Sequence, residues 1–153
     1  TTFSKKKNKY KLISKFIPLI KNLSSIDNID KSKLIFSLSD IGVHNMSYVD
    51  NKIIFYDFEY SGLDDPIKLA LDFIYCPSNN LGKKYIEYWL VNFYKIFKYT
   101  KFIRRLMFFN ELISIKWKFI VLKHENKKDL YMRKILTINK KSEFVLNSIN
   151  SIN

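Results

Sequence analysis

The sequence predicts an α+β chain that is mainly helical and carries one small β-hairpin. Three observations lead there. Glycine and proline occur only three times each while aromatic residues reach 16%, a composition poor in turns and rich in packing groups. Long segments repeat apolar residues at helical spacing, whereas one short central segment alternates as strands do. At 153 residues and 47% hydrophobic, the chain suits one domain, or one lobe of a larger one, with a sizeable core.

The elements follow in order. Residues 8–24 place Tyr10, Ile13, Phe16, Ile17 and Ile20 at helical spacings, with Pro18 expected to kink that helix or end its first half. A polar linker near 24–32 leads to "KLIFSLS", a β-branched and aromatic run of strand character. Next come "MSYVD" and "KIIFYDF", two alternating runs joined at Asp50-Asn51, a dipeptide suited to a tight hairpin turn. "SGLDDP" reads as a turn, and Pro66 can open a helix that buries Leu69, Ala70, Phe73 and Ile74. A helix over about 80–99 carries Ile86, Trp89, Leu90, Phe93, Ile96 and Phe97 as its apolar stripe. Residues 101–123 repeat the pattern with Leu106, Phe109, Ile113, Trp117 and Ile120, and a last helix covers about 127–150. Such aromatic stripes read as core rather than as ligand platforms.

Charge is unevenly spread. The formal net charge is +13, yet Asp40, Asp50, Asp57, Glu59, Asp64, Asp65 and Asp72 gather seven of the fourteen acidic residues into one stretch. Lysines scattered over helix faces read first as solvated surface. The competing reading is a basic helical module that binds nucleic acid or an anionic membrane face through "SKKKNKYK" and the later lysines. No helix-turn-helix, RNA-binding or zinc motif accompanies it, and it leaves the acidic segment unexplained. A single cysteine, Cys76, excludes an internal disulfide, so a cytoplasmic setting is expected. Lys15 and Pro18 interrupt the apolar part of the basic beginning, which argues against a signal peptide. No run approaches the roughly eighteen apolar residues of a membrane span.

Within the acidic stretch, Asp40 is a loop carboxylate, Asn45 an amide five residues on, and Asp57 a second carboxylate just after the hairpin. A hairpin returns the chain to its start, so Asp57 can approach Asn45. Few oxygen ligands, partly carboxylate, suit a Mg²⁺ that keeps waters and shares phosphate oxygens, as phosphoryl transfer requires. Asp50 is expected in the hairpin turn, and Asp64 and Asp65 at the entry to the next helix. His44 reads as a loop-packing residue, His124 as a complement to a helix dipole, and Cys76 as buried filler.

"SDIGVHN" followed by "IIFYDFE" resembles the catalytic region of the aminoglycoside phosphotransferase and choline kinase-like family. That family's pattern is H-G-D-x-x-x-x-N, a hairpin, I-D-F/W-E and a G-x-x-D-P turn. The resemblance covers about residues 33–76. It implies that Asp40 is the catalytic base, that Asn45 and Asp57 hold Mg²⁺ and through it ATP, and that Glu59 supports the metal indirectly. The pattern's His is Leu38 here and its Gly is Ser39, so "SLSDIGVHN" is more similar to the S-x-S-D-x-G-x-H-N form of the family. The helix after Asp65-Pro66 also departs, with Leu69 at the family's further Asp position and Asp72 three residues later.

By this resemblance the chain is the C-terminal lobe of a protein-kinase-like fold. Residues 1–32 would be a leading helix and linker, 33–66 the catalytic loop and hairpin, and 67–153 a helical subdomain. With glycine only at Gly42, Gly62 and Gly82, nothing before residue 33 supplies the glycine-rich ATP-binding lobe, which is expected upstream in a longer protein. The implied activity is transfer of the γ-phosphoryl of ATP to a small-molecule hydroxyl on a sugar, an amino alcohol or an aminoglycoside-like acceptor. Leu38 leaves a catalytically inactive, kinase-like scaffold as a further expectation.

Overall fold

The computed structural model describes residues 2–21, 31–98 and 101–152. It is an α+β structure, mainly helical, with two small antiparallel sheets. The chain runs through α1 (Thr2–Lys21), β1 (Ile35–Ser37), β2 (Met46–Val49), β3 (Lys52–Phe55), β4 (Gly62–Asp64), α2 (Pro66–Tyr75), α3 (Lys83–Ile96), α4 (Phe102–His124) and α5 (Lys128–Ile152). Short 3-10 turns at Lys31–Lys33 and Val43–Asn45 precede β1 and β2. The linker expected near 24–32 lies outside the described residues, apart from the first of these turns.

The hairpin forms at the expected place. Val49 pairs with Lys52 and Met46 with Phe55, leaving Asp50 and Asn51 as a two-residue turn with φ of 48° and 58°. Positive φ at both positions matches the right-handed strand twist, and Asp and Asn tolerate it better than most residues. The "SGLDDP" turn needs correction: Gly62–Asp64 is a strand, paired Ile35 to Asp64 and Ser37 to Gly62. Its Gly and Asp gave a turn signal, but β1 needs a partner for its backbone groups and the returning chain supplies one.

Pro66 does open α2. Asp65 caps it, accepting the Ile67 N–H at 2.8 Å. The buried side of α2 is Ile67, Ala70, Leu71, Ile74 and Tyr75, while the expected Leu69 and Phe73 are only half-buried. This helix sits at the centre of the core, against α4, α3 and α5. Along α3, Ile86, Leu90 and Phe93 are buried as expected, but Ile96 is 74% exposed; it lies about 80° around the helix from Ile86, off the stripe. In α4, Leu106 and Ile113 are buried, with Phe109, Trp117 and Ile120 half-buried. Helix α5 buries Tyr131, Ile138, Val145 and Ile152. That seven-residue spacing is a coiled-coil-like seam, laid against α3 and α4.

α1 continues through Pro18 to Lys21. It packs on α4, with Leu12 against the core and the Phe16 ring edge-on to Phe119. Tyr10, Ile17 and Ile20 are exposed, because a helix resting mainly on one neighbour covers a narrow stripe, here the half-buried Leu12, Ile13, Phe16 and Leu19.

Buried polar groups tie these layers. The Asp65 carboxylate also receives the Arg105 guanidinium of α4, both side chains being buried. Asp72 Oδ1 accepts Lys116 Nζ at 2.7 Å and Trp117 Nε1 at 2.9 Å, and Lys68 Nζ stands 3.2 Å from Oδ2. From the α5 seam, Lys141 donates to the carbonyls of Ile74 and Asn79, each at 2.7 Å, and of Cys76 at 3.3 Å. It thereby satisfies the end of α2. Burial pushes the Lys141 ammonium down to about 8.

Two outcomes follow from these ties. Asp65→Ala removes a cap and strands Arg105 without its buried counter-charge, so urea unfolding should show a loss of about 3–5 kcal/mol; a loss below about 1 kcal/mol would contradict the assignment. Lys141 binds its proton less tightly folded, near pH 8, than unfolded, near the ordinary 10.5. Below about pH 8 both states are protonated and the full cost of burying the ammonium is present; as pH rises from 8 towards 10.5 that cost falls away. The stability of wild type relative to Lys141→Met should therefore increase between pH 7.5 and 9.5, and a flat or falling difference would refute the shift.

Candidate functional site

β1 ends in a tight turn. The Asp40 N–H bonds back to the Leu38 carbonyl at 2.7 Å, the Ser39 N–H to Ser37 Oγ at 2.9 Å, and Ser39 sits at φ 61°. Left-handed backbone costs a side-chain-bearing residue about 1–2 kcal/mol. This is the position where the family pattern quoted above has glycine, the residue free of that cost.

The loop then folds back on itself. Asn45, 5% exposed, closes the 3-10 turn and donates its Nδ2 to the Asp40 carbonyl at 3.0 Å. The amide is thus fixed with Oδ1 turned away from that bond, and Oδ1 accepts no hydrogen bond among the described residues. Past the hairpin, the Tyr56 N–H reaches the Asn45 carbonyl at 3.1 Å, and the Tyr56 hydroxyl donates to the His44 carbonyl at 2.8 Å. Asp57 follows immediately, exposed and at φ 65°. Two non-glycine residues in the left-handed region, beside Asp40 and at Asp57, mark backbone strain of the kind that gathers at functional sites.

The charges of Asp40 and Asp57 are both felt at Tyr60. The Tyr60 hydroxyl is pushed above its ordinary range first by the neighbouring Glu59 carboxylate, through hydrogen bonding and charge, and then by burial and the charges of Asp57 and Asp40. Glu59 faces Tyr60 more directly than the Asp40 loop. Among the described residues, Asp57 and Glu59 make no ion pair with a lysine or arginine. An amide oxygen at Asn45 and a carboxylate at Asp57 are donors of the type a hard divalent cation takes.

His44 packs within the loop. Its ring lies over Gly42, where an added Cβ would come within 2.3 Å of it. Nδ1 is 2.9 Å from Ser78 Oγ and Nε2 is 3.4 Å from Asp40 Oδ2. Cys76 is buried, as expected, yet its sulfur is 3.0 Å from the same Ser78 hydroxyl. Asp40, His44 and Cys76 place ligand atoms within 4.8 Å of one another, a mixed oxygen, nitrogen and sulfur set suited to softer metals than Mg²⁺. Two of its members, His44 and Cys76, already meet the Ser78 hydroxyl, and Asp40 meets His44 directly. His124 closes the last turn of α4, where a dipole partner belongs.

Sequence reading missed the clamp behind this loop. Asn79, 1% exposed, accepts the Val43 N–H at 2.8 Å and donates to the Phe73 carbonyl at 2.7 Å, fastening the loop to α2. The polar run "CPSNN" directly after a helix was its one visible signal. Each sheet carries exposed apolar side chains, Phe36 beside Leu63 in one and Tyr48 opposite Ile53 in the other. Tyr56, Phe58 and Tyr60 are exposed as well.

No family model matches this chain, and no curated protein or solved structure matches it either.

Replacing Ser39 by Gly relieves the left-handed strain, about 1–2 kcal/mol, against the greater entropy that glycine loses on folding, about 0.5–1 kcal/mol. Ser39→Gly should therefore gain about 0.5–1 kcal/mol in chemical denaturation; a clear loss of stability would show that Ser39 is not held at positive φ.

Proposed function

We propose that the chain is the C-terminal, mostly helical lobe of a protein-kinase-like, cytoplasmic phosphotransferase that moves the γ-phosphoryl of ATP to a hydroxyl of a small molecule. The observation that carries this reading is the Asn45 amide, tied by Nδ2 to the loop carbonyl of Asp40 with Oδ1 left for a cation, while the Asn45 carbonyl receives the strand that delivers Asp57. Asn45 and Asp57 would hold Mg²⁺, which supplies charge neutralisation for the phosphate oxygens when bound. Asp40 orients the acceptor hydroxyl and takes its proton as oxygen bonds to the γ-phosphorus and the bond to the β-phosphate oxygen breaks, releasing ADP. In a loose transition state, positioning supplies most of the rate. His44 Nε2, 3.4 Å from Asp40 Oδ2, steadies that carboxylate.

The exposed apolar surface of the two sheets supports the same reading. Patches of this kind mark surfaces that other groups cover, and a two-stranded hairpin is at best marginal alone. In this reading an ATP-binding lobe seats there, and the chain without it binds nucleotide weakly. The acceptor class stays as broad as a sugar, an amino alcohol or an aminoglycoside-like compound.

Mn²⁺ in place of Mg²⁺ should broaden the amide resonances of Asn45 and Asp57 ahead of all others in an NMR titration, and Asp57→Ala should remove the effect. In the protein as its gene encodes it, Asp40→Asn should lower phosphoryl transfer from ATP to a hydroxyl acceptor by about 10²–10⁴-fold. Unchanged turnover would rule out Asp40 as the base, and no turnover by wild type across such acceptors would leave the inactive scaffold.

A further inference from the structure

A second concavity lies apart from the Asp40 loop. It is a cleft of about 600 Å³ between α1, α4 and α5, and none of its lining residues falls between 31 and 98. Its size is that of small-molecule sites. Its lining mixes polar and charged side chains, Lys11 and Lys15 from α1 and Glu111 and Lys118 from α4, with apolar ones, Met107 and Ile115 from α4 and Met132 and Ile135 from α5. The Asn110 amide in this lining is fixed, its Oδ1 accepting the buried Tyr75 hydroxyl and its Nδ2 donating to Ser142 Oγ at 3.1 Å. The floor is therefore set before any ligand arrives.

Charge in this cleft is out of balance. Three ammonium groups face one carboxylate, and among the described residues none of the three makes an ion pair. Lys118 is half-buried; its ammonium is held below the ordinary lysine range by burial first and then by the charge of Lys15, with Glu111 opposing. Two like charges drawn together at the rim of a partly apolar cleft form a place that an anion would relieve. Met side chains beside them adapt to ligands of varied shape.

We propose that this cleft binds a small amphiphilic anion, its head group held between Lys15 and Lys118 and its apolar body lying against Met107, Ile115, Met132 and Ile135. The site is independent of the phosphotransferase reading. A single-chain anion satisfies both kinds of lining at once, whereas a bare anion uses only the charged groups and a neutral chain only the apolar ones.

Isothermal titration with decanoate tests this directly. Decanoate should bind one to one with a Kd of roughly 0.01–1 mM, decanol and inorganic phosphate at least tenfold more weakly. Lys15→Gln and Lys118→Gln should each weaken decanoate about tenfold, while raising the thermal midpoint of the free protein because a repulsion is removed. Decyl phosphate binding tenfold tighter than decanoate would assign the head to a phosphate, and the reverse to a carboxylate; either supports the site. Ile53→Ser, on the exposed hairpin, should leave the Kd unchanged. The proposal fails if decanoate does not bind, if decanol or phosphate binds as well, if neither lysine variant weakens it, or if Ile53→Ser weakens it as much as they do.

Discussion

Asp65 has to satisfy two partners with one carboxylate. One oxygen caps α2 through the Ile67 N–H, and the other holds Arg105 of α4 in a buried pair. Neither partner tolerates loss, since an uncompensated buried guanidinium is costly and an uncapped helix start leaves donors unanswered. Because Asp65 directly follows β4, this pair also fixes where β4 ends, and β4 is the partner of β1. The tight turn from Leu38 to Asp40 therefore starts from a strand whose partner is anchored to the helical core by the Asp65–Arg105 and Asp64–Lys68 pairs.

The other side of the loop is held by a different device. Asn79 bridges the Val43 N–H to the Phe73 carbonyl, and Lys141 reaches from α5 to the Asn79 carbonyl. Lys141 costs desolvation but answers carbonyls that end a helix in the protein interior. The consequence is a loop strained at Ser39 and Asp57 and clamped from behind by groups that have no freedom to relax it. Strain of this kind persists only where the surroundings over-determine it.

The helices and hairpin were legible because each depends on a local signal: Asp50-Asn51 for the turn, Pro66 for the start of α2, and 3.6-residue periodicity for α3 and α4. Strand β4 was not legible, since Gly62 and Asp64 signal a turn locally and only the distant strand β1 makes them a strand. The face of α1 was misread for a similar reason. Spacing says which residues share a face, but packing mainly against α4 decides how wide a stripe is covered, and Tyr10, Ile17 and Ile20 fall outside it. At the candidate site, the order Asp40, Asn45, Asp57 could be read from spacing, while the roles of Ser78, Asn79 and Lys141 could not. Those residues act across 34 to 67 positions of sequence, and the polar run "CPSNN" near two of them does not say which distant group they meet.

The segregated acids divide along the same line. Asp64, Asp65 and Asp72 are tied to lysine or arginine within the helical core, so their charge is spent on architecture. Asp50 sits in a turn that needs its backbone tolerance rather than its charge. Asp40 stands beside the His44 ring. Asp57 and Glu59 remain, exposed and without a basic partner among the described residues, in a chain that holds 27 lysine and arginine residues. Long flexible lysines find exposed carboxylates easily when nothing prevents it. Their neighbours along the chain, Tyr56, Phe58 and Tyr60, are exposed aromatic residues. A carboxylate kept clear of cationic side chains retains its full affinity for an incoming divalent ion, and that is the physical reason the proposed Mg²⁺ role fits Asp57 better than a role in stability.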